Sequence, residues 1–521
     1  MSEAPAAAAP DNDLAALARG GRINFMGFLL RLAARLPFLF IAGRMYGAEA
    51  LGRFAYAVLI VEFVAQLATL GLKRGLAQQL SKTDKPHVCV TYDALLVALM
   101  ASVLGMAILF LFPRIMFPNS EIYGMEWLLP VAVLALAWSD VMLAALAYRH
   151  DVGATVRARA IVEPWTISIA ALAFAFISKR DGLIFAYALS MIGALVASAI
   201  PFFRTYGRAA GWRPNPAESW GLARRYMPVA AADTVEWASR RIDLAILGLF
   251  ATPALVGIYY VAQNVASLPS KLKTSFDPIL GPVISRSLEE GDRVGVAKQI
   301  RQVGFWVIAA QAAVALALGI PGEGVMGLVG PVFVAGTAAL IFLLGAEVIA
   351  ATATTSEAAL IYIARHRNMM LSLAMLALQA VLTVALILLF RRLGWPPAWQ
   401  ATAPAVALCL ALVFAAVTKS RLAGKLLGAP VSGWRWPLIW AAAAAIIVGQ
   451  LTHFVPEWLQ LSLGVPLILA SFGLVIWLKG FGPEDRLLFK MKKKDIAVDL
   501  PAPSTGEARR ARPNAGSGAC R

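Results

Sequence analysis

Stretches of about 20 predominantly apolar residues, the length that crosses ~30 Å of hydrocarbon, recur fourteen times along the chain between short polar segments. They lie near Ile23 to Gly43, Phe54 to Leu72, Val88 to Phe112, Trp127 to Ala147, Ile161 to Ile177, Leu183 to Phe203, Tyr226 to Phe250, Val256 to Phe276, Val303 to Ile320, Val332 to Ala353, Met369 to Phe390, Ala398 to Val417, Trp434 to Leu451 and Trp458 to Leu478. This pattern predicts an all-α polytopic membrane protein with about 14 transmembrane helices, because in lipid a spanning segment must satisfy its own backbone polar groups. Trp395, Trp399, Trp434, Trp436 and Trp458 sit at window ends. An amphipathic ring suits the membrane boundary there.

Charge orders these windows. With the N-terminus placed in the cytoplasm, 36 of the 47 basic residues fall in inner segments and 7 in outer turns, as the positive-inside rule requires. Adding or removing one helix inverts the asymmetry downstream, so the count and a cytoplasmic location for both termini support each other. The expected location is the cell inner membrane. The chain has 521 residues, 60% of them hydrophobic and 15% charged, with mean hydropathy +0.70, more apolar surface than one soluble core can hide. Cys89, Cys409 and Cys520 show no disulfide or metal spacing, and neither metal nor cofactor is expected. The acidic, Ala-rich N-terminus does not resemble a cleaved signal peptide, so the first helix is expected to be retained. Residues 479–521 read as a basic disordered cytoplasmic tail, whose Lys run from Phe489 to Asp495 suits anionic membrane lipids. No nucleic-acid partner is expected.

An internal repeat refines the organisation. LFIAGRMYGAEALGRFAYA, Leu39 to Ala57, slides onto LAILGLFATPALVGIYYVA, Leu244 to Ala262, with an offset of 205. Leu39, Ile41, Gly43, Gly52 and Ala57 meet Leu244, Ile246, Gly248, Gly257 and Ala262, and Phe54 meets Tyr259. The first and seventh windows start from the same side, so the repeat is parallel, about an axis along the membrane normal. It predicts a cytoplasmic N-terminal segment (1–22), an N-lobe (23–203), a cytoplasmic linker (204–225), a C-lobe (226–417) and two appended helices (434–478). Two parallel pseudo-symmetric six-helix lobes around a central cavity form an alternating-access layout.

The candidate chemistry lies in charges at membrane depth, which usually face the bundle interior or a watery cavity. Arg31 and Arg35 are spaced i, i+4 on one face of the first helix, with Pro37 placed to kink it. The offset sets Arg35 opposite Arg240 and Arg31 opposite Glu236. In the seventh window Asp233, Glu236, Arg240 and Asp243 follow one helical stripe, readable as ion pairs of Arg240 with Glu236 and Asp243 or as a coupling site. Arg31, Arg35, Arg240 and Arg241 are the candidate substrate-binding cations. A guanidinium pair suits phosphate or pyrophosphate, being a planar donor fork that never deprotonates. Asp233, Glu236, Asp243 and Glu347 are candidate coupling or structural partners. Glu62, Asp140, Gln263, Asn264, Gln311 and Gln379 also fall within windows and read first as polar glue between helices. There is no GxxxxGK[ST] loop, so energy comes from a gradient or the membrane potential.

GRMYGAEALGRFAYA (Gly43 to Ala57) and LATLGLKRGLAQQLS (Leu67 to Ser81) resemble the first two helices of polysaccharide-type flippases, members of the multidrug, oligosaccharidyl-lipid and polysaccharide exporter superfamily. The resemblance implies flipping of an undecaprenyl-pyrophosphate-linked oligosaccharide between leaflets for surface polysaccharide synthesis, such as O-antigen, lipopolysaccharide or exopolysaccharide. A polysaccharide polymerase and glycosyltransferases would be its pathway partners. It also implies that Arg31 and Arg35 occupy a cavity-lining region. A lipid II flippase is the nearest rival, since those have fourteen spans. A drug or cation antiporter of the superfamily would want an acidic or aromatic cavity. An enzyme, such as a membrane polymerase or ligase, would need a sizeable outer loop, and the longest here, Pro113 to Glu126, has 14 residues.

Overall fold

The computed structural model describes residues 36–481, apart from 123, 208, 210–211, 274–283, 285, 453 and 455. All fourteen windows are predominantly helical where described, and no β-strand occurs among the described residues. The helices are α1 (residues 36–46), α2 (Gly47–Ala68), α3 (Leu72–Lys82), α4 (His87–Leu111), α5 (Val131–Tyr148), α6 (residues 152–174), α7 (Gly182–Tyr206), α8 (Pro216–Ser239), α9 (Ile242–Phe250), α10 (Pro253–Ala266), α11 (Leu268–Lys273), α12 (Arg293–Gly319), α13 (Gly322–Val329), α14 (Thr337–Ile363), α15 (Arg365–Arg392), α16 (Pro397–Leu427), α17 (Trp436–Thr452) and α18 (Glu457–Gly480).

Among the described residues, nine helical stretches are long and apolar enough to cross a membrane, and α17 is a shorter apolar helix. The difference from fourteen has local causes. The first two windows run on from Leu36 to Ala68 without a helical gap, and only a turn at 69–71 separates them from α3, so that Leu36–Lys82 counts as one stretch. The outer turn expected between these windows comes down to Gly47, whose φ of 82° and ψ of 175° leave helical geometry at a residue with no Cβ to clash. The fifth window is interrupted by a π-helical stretch, Val156–Val162. The eighth breaks at Ser267, between α10 and α11. The seventh is broken at Arg240 and Arg241, between α8 and α9.

That last break governs the packing. Leu222, Ala223 and Tyr226 of α8 belong to one buried cluster with Leu72, Leu76 and Leu80 of α3, Val90 and Ala94 of α4, and Phe202 of α7. Helix α9 packs mainly against α10, α15 and α16, and also touches α2 where Gly248 faces the Tyr56 ring. One predicted span therefore serves both halves of the molecule, its two pieces on opposite sides of the Arg240–Arg241 junction.

The two repeats meet most extensively where α2 crosses α10. A Cβ on Gly52 would lie 1.7 Å from the Pro253 carbonyl oxygen, and one on Gly257 would lie 2.1 Å from the Ala48 carbonyl oxygen. Pro253 is Ala48 plus the repeat offset, so the crossing is itself two-fold symmetric. Residues matched by the repeat, Ala57 with Ala262 and Phe54 with Tyr259, are buried beside it. Small residues let backbones approach this closely where packing rather than hydrophobic contrast drives helix association. At the periphery, only 22% of the apolar windows of α15 and α18 is buried. Their exposed leucines, valines and tryptophans form the surface that meets lipid.

Candidate functional site

The site is built where α3 meets α8. Gly71 and Gly75 clear a place for Tyr226: a Cβ on Gly75 would fall 2.2 Å from its ring, and one on Gly71 2.8 Å from its carbonyl oxygen. This approach sets Arg74 against one face of α8. Its Nη1 lies 3.0 Å from Asp233 Oδ1 and its Nη2 2.8 Å from Glu236 Oε2. The other oxygen of Glu236 takes Arg240 Nη2 at 3.2 Å. Arg240 is 74% exposed and Arg74 59%, so both guanidinium groups of this chain of charges are accessible.

Arg241 turns to α2, where its Nη1 meets Glu62 Oε2 at 3.0 Å. Its guanidinium also lies over the Trp237 ring, 5.3 Å from the centroid, and Phe63 packs against that ring at 5.5 Å. A second ionic chain runs through the first-repeat helices. Asp140 accepts from Lys73 Nζ at 2.9 Å and is paired with Arg159, which also donates to Glu163 at 2.8 Å. The π stretch holds Arg159 in α6, one turn from Glu163. Tyr187 lies within electrostatic reach of Glu62, Glu163, Arg159 and Arg241, and its buried hydroxyl has no hydrogen-bond partner among the described residues.

The predicted site residues separate into groups. Arg31 and Arg35 lie outside the described residues, as does the Lys run from Phe489 to Asp495. Asp233, Glu236, Arg240 and Arg241 come together at the α8–α9 junction. Asp243 departs from the expected stripe and makes no ion pair with Arg240. The helix break turns it into the second-repeat core, where its carboxylate accepts from Tyr259 Oη at 2.6 Å, Gln263 Nε2 at 3.0 Å and the Leu244 amide at 2.8 Å. It ties α9 to α10. Glu347 lies half-buried on α14, which packs with α10, α12 and α16 rather than α8.

Sequence reasoning missed Lys73, Arg74 and Arg159, counting them as loop charges. The signals were the glycines flanking LKR in GLKRG and the i, i+4 spacing of Arg159 and Glu163. Asp140 behaves as the expected glue.

Further polar contacts join the repeats around the connection between α4 and α5. Asn119, on the connection between α4 and α5, donates to the carbonyls of Gly248 at 2.8 Å and Ala251 at 3.0 Å, capping α9 from the other repeat. Arg44 Nε donates to the Leu328 carbonyl at 2.9 Å. Arg53 and Arg180 converge on the buried carboxylate of Glu126, at 2.7 and 3.3 Å. Burial pushes the neighbouring Asp181 carboxyl up, with Glu126 adding to the shift and Arg180 opposing it.

A helical bundle with nine stretches long and apolar enough to cross a membrane among its described residues, built on internal repeats that meet at a symmetric crossing, defines a multi-pass membrane protein. Residues 41–316 match the family described as polysaccharide biosynthesis protein, and the chain belongs to that family. No curated protein sequence matches it. Among solved structures it is similar to "Lipid II flippase MurJ, inward closed conformation", with TM-score 0.65 and 11% identity over 88% of this chain and 99% of that one. It is also similar to an inward-facing multidrug resistance MATE family transporter of the MOP superfamily, with TM-score 0.61 and 14% identity over 77% and 94%. A third is a MOP superfamily transporter from Pyrococcus furiosus, titled for the reverse polarity of its binding pocket, with TM-score 0.51 and 13% identity over 79% and 95%. The shared fold is that of MATE- and MurJ-like membrane transporters.

Proposed function

We propose that the protein flips an undecaprenyl-pyrophosphate-linked oligosaccharide across the inner membrane for surface polysaccharide synthesis, by alternating access of the two repeats with both termini in the cytoplasm. The observation that carries this reading is the charge balance of the ion-pair network around α3, α6 and the α8–α9 junction. Its described cations, Lys73, Arg74, Arg159, Arg240 and Arg241, are matched by Asp140, Glu163, Asp233, Glu236 and Glu62. Arg31 and Arg35, five positions and one position before the first described residue, are two further cations of the first predicted window. A diphosphate supplies compensating charge and bidentate acceptors for guanidinium groups. Family membership supports a polysaccharide-pathway substrate, and the cationic excess argues against a cationic drug. The accessible arginines make the substrate cations, the N-lobe with α8 packed onto it and the C-lobe from α9 onward the moving bodies, and pathway glycosyltransferases and a polymerase the suppliers and consumers of the substrate.

Complementation of a strain lacking its oligosaccharide flippase tests this. Arg35→Ala is expected to reduce surface polysaccharide to background at normal protein abundance, and Arg35→Lys to restore only part of it, since an ammonium lacks the bidentate fork. Full export by an abundant Arg35→Ala protein would overturn the assignment. Rescue of a strain depleted of its lipid II flippase, without rescue of polysaccharide export, would move the substrate to lipid II.

A further inference from the structure

Resting on the flippase reading, we propose that Glu62 is the counter-anion that the substrate's diphosphate displaces from Arg241, so that binding releases a tie between the repeats. Glu62 stands on α2, ten residues and about 15 Å of helix from the Gly52 crossing. Arg241 stands at the junction where the chain passes from α8 to α9. The 3.0 Å pair therefore joins a first-repeat helix to the start of the second-repeat core.

Three features fit exchange rather than a permanent staple. Arg74 and Arg159 each bridge two carboxylates, whereas Arg241 pairs with one. A guanidinium has five donors, which leaves capacity for a second oxyanion. The Glu62 and Arg241 side chains are 28% and 38% exposed, so a ligand can reach both. The Trp237 ring, backed by Phe63, holds the guanidinium plane in place when its partner leaves.

The displaced carboxylate has a destination. Tyr187, 4% exposed and within electrostatic reach of Glu62, carries a hydroxyl that no described residue engages. In the empty protein Glu62 neutralises Arg241 and ties α2 to the junction. In the loaded protein the diphosphate occupies Arg241, Glu62 takes the Tyr187 hydroxyl as donor, and the repeats lose one bond across their seam. Glu62 is thus a positioning residue acting through Arg241.

The test uses the full chain in nanodiscs with undecaprenyl diphosphate as probe. Glu62→Gln, isosteric and neutral, is expected to bind the probe at least about fivefold more tightly, the lower end of common coupling energies. Tyr187→Phe is expected to bind it more weakly. A reporter, Val256→Cys in the buried seam beside Gly52, is read by site-resolved maleimide labelling. It is expected to react only with probe present in the parent chain, and without probe in combination with Glu62→Gln. Unchanged or weaker binding by Glu62→Gln, or labelling indifferent to it, overturns the proposal while leaving the flippase reading intact. Absence of probe binding by the parent chain overturns both.

Discussion

Gly52→Val is expected to abolish polysaccharide export in the complementation strain, and Gly257→Val to do the same. Both positions place main chain on main chain. The added Cβ would lie 1.7 Å from Pro253 O and 2.6 Å from Gly257 N in one case, and 2.1 Å from Ala48 O and 2.9 Å from Gly52 N in the other. No rotamer of a neighbour relieves such a clash. Overpacking a fitted core costs about 1–3 kcal/mol, and backbone against backbone belongs at or above the top of that range. The helices must separate, and Asn119 then loses its reach to the Gly248 and Ala251 carbonyls. Disulfide trapping between cysteines placed on α2 and α10 measures the separation directly. Export at parental levels with trapping intact would contradict the crossing.

Arg159→Ala is expected to give the largest loss of stability among single substitutions in the polar interior. It strips Asp140 and Glu163 of a shared cation at once. Removing one partner of a largely buried pair costs about 3–5 kcal/mol, chiefly through the charge left behind. Thermal unfolding in detergent should show a clear fall in Tm and reduced abundance in membranes. Arg159→Lys keeps the charge but cannot fork between two carboxylates, so it should lie between Ala and the parent. Asp140→Asn should fall less than Arg159→Ala, because Arg159 retains Glu163. A Tm unchanged in Arg159→Ala would show that the chain of Lys73, Asp140, Arg159 and Glu163 carries no structural load.

The architecture was largely written in hydropathy and loop charge. Every described window is helical because a bilayer leaves few alternatives for a 20-residue apolar run, and α4 and α7 fall within a few residues of their predicted limits. The repeat also pointed to Gly52 and Gly257 as equivalents, although an alignment cannot say that equivalent residues touch. The break at Arg240–Arg241 was hidden, because SRRID contains neither proline nor glycine to mark it. That break is why Asp243 left the stripe drawn for it. Arg74 and Lys73 were read only as topology signals. Which acids they meet depends on α8 lying beside α3, a contact between residues some 160 positions apart that no local pattern encodes.

The placement of α8 sets an order of events during synthesis. The first-repeat helices are translated and inserted before Pro216 leaves the ribosome, yet their buried cluster includes Leu222, Ala223 and Tyr226. Until then Gly71 and Gly75 border an unfilled slot, and Arg74 has neither Asp233 nor Glu236. The nascent first repeat is an incomplete body that the opening helix of its own duplicate closes. Domains of nascent chains generally fold N-terminal first, but here the first unit waits for the second. The covalent seam of the duplication and the seam of the folded bodies are therefore about one helix apart.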